Sequence, residues 1–559
     1  MKTPILLLLA ALAATAQTTP VAPTAVANAS ISGVVRDKAT GTPLKDYVVS
    51  TYVNALWSDA GITMNSATKQ LTSTTDEHGQ YRLTDLPAGP YHVMAQTPQG
   101  GGRSSMTRVV TLAGQDVEGI DFKFVQMGTI NGKVLDENKE PVPNMFVTLV
   151  SKEYYLGSIG YYLKSSGRTN DQGEYKIAGI EAGHPFYLMT DFLRQNLPPH
   201  AETPLNPQMR RRIPMRTWYL SSPDREGAAS LTLRPGEIRE GVNIEVKKSP
   251  SYCMAGIAAT PNGPAALRVS IEALTPSSGV SGSGGTFMAT TGTTTAPDGE
   301  FRFCDLFPGS YRVTVTERNQ SPDATYAITV VTISDKDLTD LKFPTSPRVS
   351  LNTEVILDGT QPTIPITVKP RLGLVPLLRT QNPGEKLNLQ PDIPGTMPMT
   401  GLLLDDYGVR ASINSPGLYV KDVTYAGRSV RFEPFHLGSA GMGSGLQMTI
   451  GQDGGTIAAN VADKDGNPIA DTLVVIMPAN TPNEGALAAQ IISGQTDQRG
   501  QYRSRTLAPG KYFVVATEDS YDMTPESIGK LWQSHARYQE VDLNPKAAAQ
   551  VTLQPTNIR

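Results

Sequence analysis

One short phrase recurs along this chain and fixes its architecture. It reads Asp76-Glu77-His78-Gly79-Gln80-Tyr81 and runs on to Leu86-Pro87-Ala88-Gly89-Pro90-Tyr91. It returns as Asp171-Gln172-Gly173-Glu174-Tyr175 up to Gly183, as Asp298-Gly299-Glu300-Phe301 up to Gly309-Ser310-Tyr311, and as Asp497-Gln498-Arg499-Gly500-Gln501-Tyr502 up to Gly510-Lys511-Tyr512. In all four copies the two glycines are ten residues apart and an aromatic follows two places after the first. A weaker copy, Asp406-Tyr407-Gly408-Val409 with Pro416-Gly417-Leu418-Tyr419, keeps a spacing of nine. A unit that recurs about every hundred residues makes a string of like modules.

The spacing has a mechanical meaning. Asp accepts a local backbone hydrogen bond and Gly takes positive φ without steric penalty, so Asp followed closely by Gly is a turn. The aromatic then opens a period-2 run whose alternate side chains face a core. The Pro-Ala-Gly or Ala-Pro-Gly step turns the chain again, and a second alternating run follows, as in Tyr512, Val514 and Ala516. The phrase is predicted to be a β-hairpin with a turn at each end.

Each phrase lies in a longer frame. A strand such as Ser32-Gly33-Val34-Val35-Arg36-Asp37 or Asn131-Gly132-Lys133-Val134-Leu135-Asp136 comes first, then a polar turn with Pro43, Pro141 or Pro468, then a β-branched strand such as Phe146 to Val150 or Leu473 to Ile476. Alternating strands such as Val242 to Val246 close each unit. Short strands every 8–12 residues or so, punctuated by Gly, Pro and Asp, indicate β-sandwiches. One helix is expected, at 524–532, with Thr524 as cap and Pro525 at the first helical position.

This frame resembles the carboxypeptidase regulatory-like domain, a transthyretin-like (prealbumin-like) sandwich similar in fold to several carbohydrate-binding modules. The resemblance implies an all-β chain, a tandem array of four to five Greek-key β-sandwich domains. The boundaries read as a signal peptide at 1–16, a flexible leader at 17–30, and modules at 31–125, 128–247, 250–344, 345–452 and 453–559. In the second module His184-Pro185-Phe186 replaces the usual Gly-x-Tyr step. The segment 345–452 matches poorly, and is expected to be a modified sandwich with strands at Thr363 to Val368 and Leu372 to Leu378.

Compartment is read from the first residues. Lys2 precedes an apolar run from Ile5 to Ala14, and Ala14-Thr15-Ala16 supplies the small residues of a cleavage site. The run is about half of the roughly 20 residues that a membrane-spanning helix needs. The mature chain is expected to be exported to the periplasm, cell surface or exterior, with no transmembrane segment. Net charge is −3, from 49 Lys and Arg against 52 Asp and Glu, which gives no electrostatic case for nucleic acid. Arg210, Arg211, Arg212 and Arg216 form the one basic cluster and read as a solvated loop.

The chain has two cysteines, Cys253 and Cys304. Either they bridge, which would contribute about 4 kcal/mol by closing a loop of that length, or they are two buried apolar side chains.

Nothing in the sequence encodes a reaction. No His is followed three residues later by Glu, no Gly-x-Ser-x-Gly elbow occurs, and the glycine-rich stretches Gly279 to Gly285 and Gly438 to Gly445 lack a phosphate-loop Lys and read as loops. Asp463-Lys464-Asp465-Gly466-Asn467 reads as a turn and not a calcium loop, since the rest of the ligand set is missing. No catalytic residue, cofactor or metal ligand is assigned.

Aromatics outside the repeated frame are the candidate binding residues: Trp57, Tyr154, Tyr155, Tyr161, Tyr162, Trp218, Tyr219 and Trp532. On loops they would stack on sugar rings or anchor a protein; otherwise they pack over loops or between modules. The repeated aromatics, such as Tyr81, Tyr175 and Tyr512, are expected in the cores. The function read from the sequence is a non-catalytic exported protein that binds glycan or protein at the cell envelope. The alternative, which rests on the family resemblance, is an accessory subunit of a secreted peptidase or outer-membrane uptake system.

Overall fold

The computed structural model describes residues 29–38, 40–58, 61–98, 105–192, 212–223, 225–273, 280–282, 285–286, 290–318, 324–359, 368–377, 386–438, 444–518 and 521–558. The expected signal peptide, Arg210, Arg211 and the expected strand at Thr363 to Val368 lie outside them, apart from Val368. The described chain is mostly strand, as the repeat requires, and forms two compact units. One consists of residues up to Val35 with Pro43–Ala55 and Met64–Phe122; the other holds Arg36–Thr42, Leu56–Thr63 and everything from Lys123 onward.

The same two-sheet sandwich is built in each strongly repeated module. In the first, Ala29–Asp37 pairs antiparallel with Gln80–Leu86, and opposite them lies a sheet in the order Lys69–Thr74, Val48–Val53, Gly89–Gln96, Ser105–Leu112. In the second unit Gly128–Asp136, Tyr252–Thr260 and Thr456–Val461 play the part of Ala29–Asp37. Each lies between the antiparallel strand that follows the Asp-Gly turn and a parallel closing strand, Ile244–Val246, Leu338–Pro344 or Ala548–Leu553. The segment 345–452 is also two-layered, a five-stranded sheet against a four-stranded one around its own core of Leu351, Val355, Tyr407, Val423 and Met448. Its strand Arg371–Pro376 covers most of the expected Leu372 to Leu378.

The repeated phrase is not a hairpin. Gln80–Leu86 belongs to one sheet and Gly89–Gln96 to the other, and the same holds for Glu300–Leu306 with Gly309–Thr316. The Pro-Ala-Gly step is an arch that carries the chain across the core. Alternation of inward and outward side chains is the same for a hairpin and an arch, so the pattern could not separate them. A hydroxyl secures three of the arches. Tyr91, Tyr311 and Tyr512 donate to the carbonyls of Pro87, Phe307 and Ala508, all at 2.8 Å.

The other crossing, at the Asp-Gly turn, depends on a threonine. Thr75, Thr169, Thr295 and Thr496 are buried in equivalent places. Each hydroxyl donates to a carbonyl, that of Leu44, Val142, Ala265 or Ile469, at 2.7–2.9 Å. Each also accepts from a main-chain N–H, that of Tyr47, Met145, Leu267 or Thr472, at 2.8–3.0 Å. The turn beyond it is held by Asp76 or Asp497, whose carboxylate accepts two main-chain N–H groups. In the second copy Asn170 does this work and not Asp171.

The glycine of the first strand leaves room for a carbonyl. A Cβ at Gly33, Gly132 or Gly256 would lie 1.9–2.1 Å from the oxygen of Ile120, Val242 or Leu341. Tyr81 and Tyr175 donate to the first two of those oxygens at 2.6 Å. The repeated aromatics are therefore core residues, although Tyr502 is only half-buried. Cys253 and Cys304 are bonded to each other between neighbouring strands.

Two expectations about local structure are corrected. Thr524 caps the helix α2 (Pro525–Gln533) as expected, but a further helix, α1 (Glu484–Gln490), starts at Asn483, whose side chain accepts from Ala486 N–H. Ala-rich and only seven residues long, it carries too little periodicity to stand out. The stretch Gly279 to Gly285 contains two short strands, Val280–Gly282 and Gly285–Thr286, and the first runs parallel to Tyr161 and Tyr162 of the preceding module.

Replacing Thr169 with Val removes a donor and an acceptor while keeping the volume, and strands the buried N–H of Met145. Thr169→Val should destabilise the second unit by about 2 kcal/mol, whereas Thr169→Ser should retain most of the stability. Denaturant unfolding and amide exchange at Met145 check this.

Candidate functional site

Four of the non-repeated aromatics lie on one extended hairpin. The second strand of the sandwich is six residues long in three modules, Val48–Val53, Arg268–Ala273 and Leu473–Pro478, but eleven in the second, Met145–Tyr155. Its partner Ser158–Arg168 is equally long, and Leu156 and Gly157 turn the tip with positive φ. This extension carries Tyr154, Tyr155, Tyr161 and Tyr162.

Its tip is wedged between two later parts of the chain. Tyr154 donates its N–H to Met523 O at 2.7 Å and its hydroxyl to Glu484 Oε2 at 2.9 Å. Burial, with the neighbouring Glu484 carboxylate, pushes the Tyr154 hydroxyl up to about 12. The ring packs on an apolar cluster formed by Met477, Leu487, Val515, Ile528 and Leu531. On the other side Arg410 lies over the Tyr155 ring at 5.4 Å and bonds its hydroxyl. A Cβ at Gly157 would sit 1.9 Å from Phe432 O, and one at Gly485 would sit 2.2 Å from Gly157 O. Three modules meet there, backbone against backbone.

A second join lies near the base of the same module. His184, in the position where the other modules have the glycine-tyrosine step, bonds Asp522 through Nδ1 and approaches Glu181 at 3.7 Å through Nε2. The Asp522 and Glu181 carboxylates raise the imidazole to about 9 against the opposing effect of burial. Burial works against the Asp522 carboxylate, but bonds from His184, Ser527 and Thr524 outweigh it and hold Asp522 far below the usual range. Thr524 caps α2 and also binds Asp522, so one residue ties the helix to the join. A cavity of about 200 Å³ beside it is lined by Pro185, Thr232, Tyr521, Glu526 and Lys530.

The other candidates are interior or turned inward. Trp218 is fully buried, with Tyr161 edge-on at 5.6 Å and Met189 beside it. Tyr161 is buried, Tyr162 is largely covered and pushed up to about 12 by burial and Glu153, and Tyr219 packs on the core of the second module. Trp532 stacks on His535 at 4.8 Å. For Trp218 and Tyr161 the expectation of a loop surface for stacking is therefore corrected. Both pack in one apolar cluster with Val150 and Met189, so their exclusion from water follows from packing. Tyr155 keeps the most exposure, at 37%. Trp57 falls on the short strand Leu56–Ser58, and its side chain lies outside the described residues.

The sequence reading missed His184 as a joining residue, along with Asp522, Glu484 and Arg410. The signal for His184 was present as a break in the repeat. Asp463 accepts the N–H groups of Asp465 and Asn467 and closes a turn, as read. Among the described residues no group of three or more His, Cys, Asp or Glu side chains is placed to hold a metal ion, and no helix is long and apolar enough to cross a membrane.

The fold and the joins define a tandem all-β protein made of sandwich modules. Residues 30–125 match the carboxypeptidase regulatory-like domain family, in agreement with the resemblance of the repeated phrase. No curated protein matches the chain in sequence. Among solved structures, the minor pilin of Streptococcus agalactiae is similar at 15% identity, covering 40% of this chain and 97% of the pilin with a TM-score of 0.24. A streptococcal ancillary pilin is similar at 13%, covering 57% and 100% with a TM-score of 0.19. The major pilin subunit of Bacillus cereus is similar at 11%, covering 57% and 98% with a TM-score of 0.15.

Because His184 carries a pKa raised from 6.5 to about 9 in the folded chain, its stabilisation is complete below pH 6.5 and is lost as pH rises through 9. That loss should amount to about 3 kcal/mol. Unfolding of the wild type measured from pH 6 to pH 10 should show it, and Asp522→Asn should flatten the profile.

Proposed function

We propose that this is a non-catalytic, exported scaffold protein of the cell envelope that holds a protein partner, with glycan recognition as the lesser reading. The observation that carries it is the use made of the non-repeated aromatics. Tyr154, Tyr161 and Trp218 are committed to packing within and between modules, which favours a rigid multi-module body over a surface of exposed rings for sugar stacking. The joins at Tyr154 and His184 support rigidity, since each crosses more than three hundred residues of sequence. The apolar run after Lys2 and its small-residue cleavage site support export. The absence from the sequence of nucleophile, metal or phosphate-loop motifs supports a role without chemistry.

The test is fractionation of cells that express the full chain, followed by affinity measurements on the mature protein. The expected result is a processed protein in the envelope or exterior fraction that cross-links to protein and passes unretarded through polysaccharide columns. Retention that Trp57→Ala abolishes would overturn the protein reading in favour of glycan binding.

A further inference from the structure

The larger sheet of each repeated module ends on an edge strand, and three of the four edges carry a device that discourages another strand from adding. Ser105–Leu112 contains Arg108. In the second module the edge is broken into the two-residue strands Thr217–Trp218 and Ser230–Leu231. Gln539–Leu543 contains Glu540 and Asp542. The equivalent strand of the third module, Tyr326–Ile333, has none of these. Its sequence, Tyr-Ala-Ile-Thr-Val-Val-Thr-Ile, holds no charge, no proline and no glycine.

The geometry leaves that edge open over its middle. The strand pairs with Gly309–Thr316 along its whole length. On the far side Tyr326 exchanges both main-chain bonds with Ser346, at 2.8 and 2.7 Å. That exchange sets the phase of the strand, so the peptide groups of Ile328, Val330 and Thr332 also face away from Gly309–Thr316. Among the described residues no strand pairs with those three positions. Val330 is 56% exposed and Thr332 is exposed, while Ala327, Val331 and Ile333 pack on the module core.

We propose that this strand is a self-association edge, on which a second copy of the chain adds its own Tyr326–Ile333 antiparallel across a two-fold axis at Val330. In this register Val330 faces its symmetry mate and Ile328 faces Thr332, and about six main-chain hydrogen bonds form. The second copy is the fitting occupant because an isologous contact needs only a self-complementary strand. This one places uncharged β-branched side chains opposite each other, a favourable cross-strand pairing. Tyr326 is already paired with Ser346, so the added strand ends with its Ile333 opposite Ala327, and the paired stretch brings no charge into the contact. The strand presents no charge or pocket that would select a different sequence. Closure by the two-fold consumes both edges and stops further growth.

The test is the mass of the full mature chain by analytical ultracentrifugation over a concentration series. A concentration-dependent dimer is expected. Val330→Lys, at an exposed position outside the core, should shift it to monomer with an unchanged circular dichroism spectrum. Val330→Cys should form an inter-chain disulfide on air oxidation, because directly facing Cα atoms in such a pair lie about 5.5 Å apart, whereas Thr332→Cys should not. A wild-type chain that stays monomeric, a dimer that survives Val330→Lys, or an edge occupied instead by a strand of another protein would overturn the proposal.

Discussion

The sandwiches depend on satisfying main-chain groups where the chain leaves one sheet for the other. A strand inside a sheet has its partners supplied by its neighbours, but a crossing carries N–H and C=O groups through the core with none. Each strong copy of the repeat meets that demand with a buried threonine hydroxyl before the Asp-Gly turn, and three of them add a tyrosine hydroxyl after the Pro-Gly arch. The repetition of these bonds from module to module, on sequences that otherwise differ, marks them as the invariant part of the design.

Where the second module departs from the repeat, it joins to others. The position given to a glycine elsewhere is followed here by His184, which reaches Asp522, and the strand that is six residues long elsewhere is eleven here and reaches Glu484 and Arg410. The third and fourth modules are joined more simply, through Arg312 and Asp405 at 2.8 Å, both nearly excluded from water. Residues from Lys123 onward therefore form a jointed body with separate cores and shared seams, not a row of independent beads.

Much of the fold was legible because turn residues and period-2 runs report local conformation directly. Asp76, Gly79 and Tyr81 announce a turn and a core-facing strand whatever surrounds them. The sheet to which each strand belongs was not legible, since an arch and a hairpin share the same alternation. The seams were legible only as irregularities: His184 and Tyr154 stood out as residues that the frame did not require, but their partners Asp522 and Glu484 lie far away in sequence and no local pattern names them. The role of the four threonines was missed for the opposite reason, because a Thr beside a turn is so ordinary that its burial alone distinguishes it.

The extended hairpin also constrains the order in which the polypeptide can mature. Tyr154 meets Glu484, 330 positions further along the chain, and Met523 is farther still. A chain made and delivered from its amino end exposes the tip of that hairpin, aromatic and incompletely covered, until nearly the whole of the remaining polypeptide has emerged. Domains generally condense one at a time in that direction, so the second sandwich waits for the fifth before its most apolar projection is sheltered.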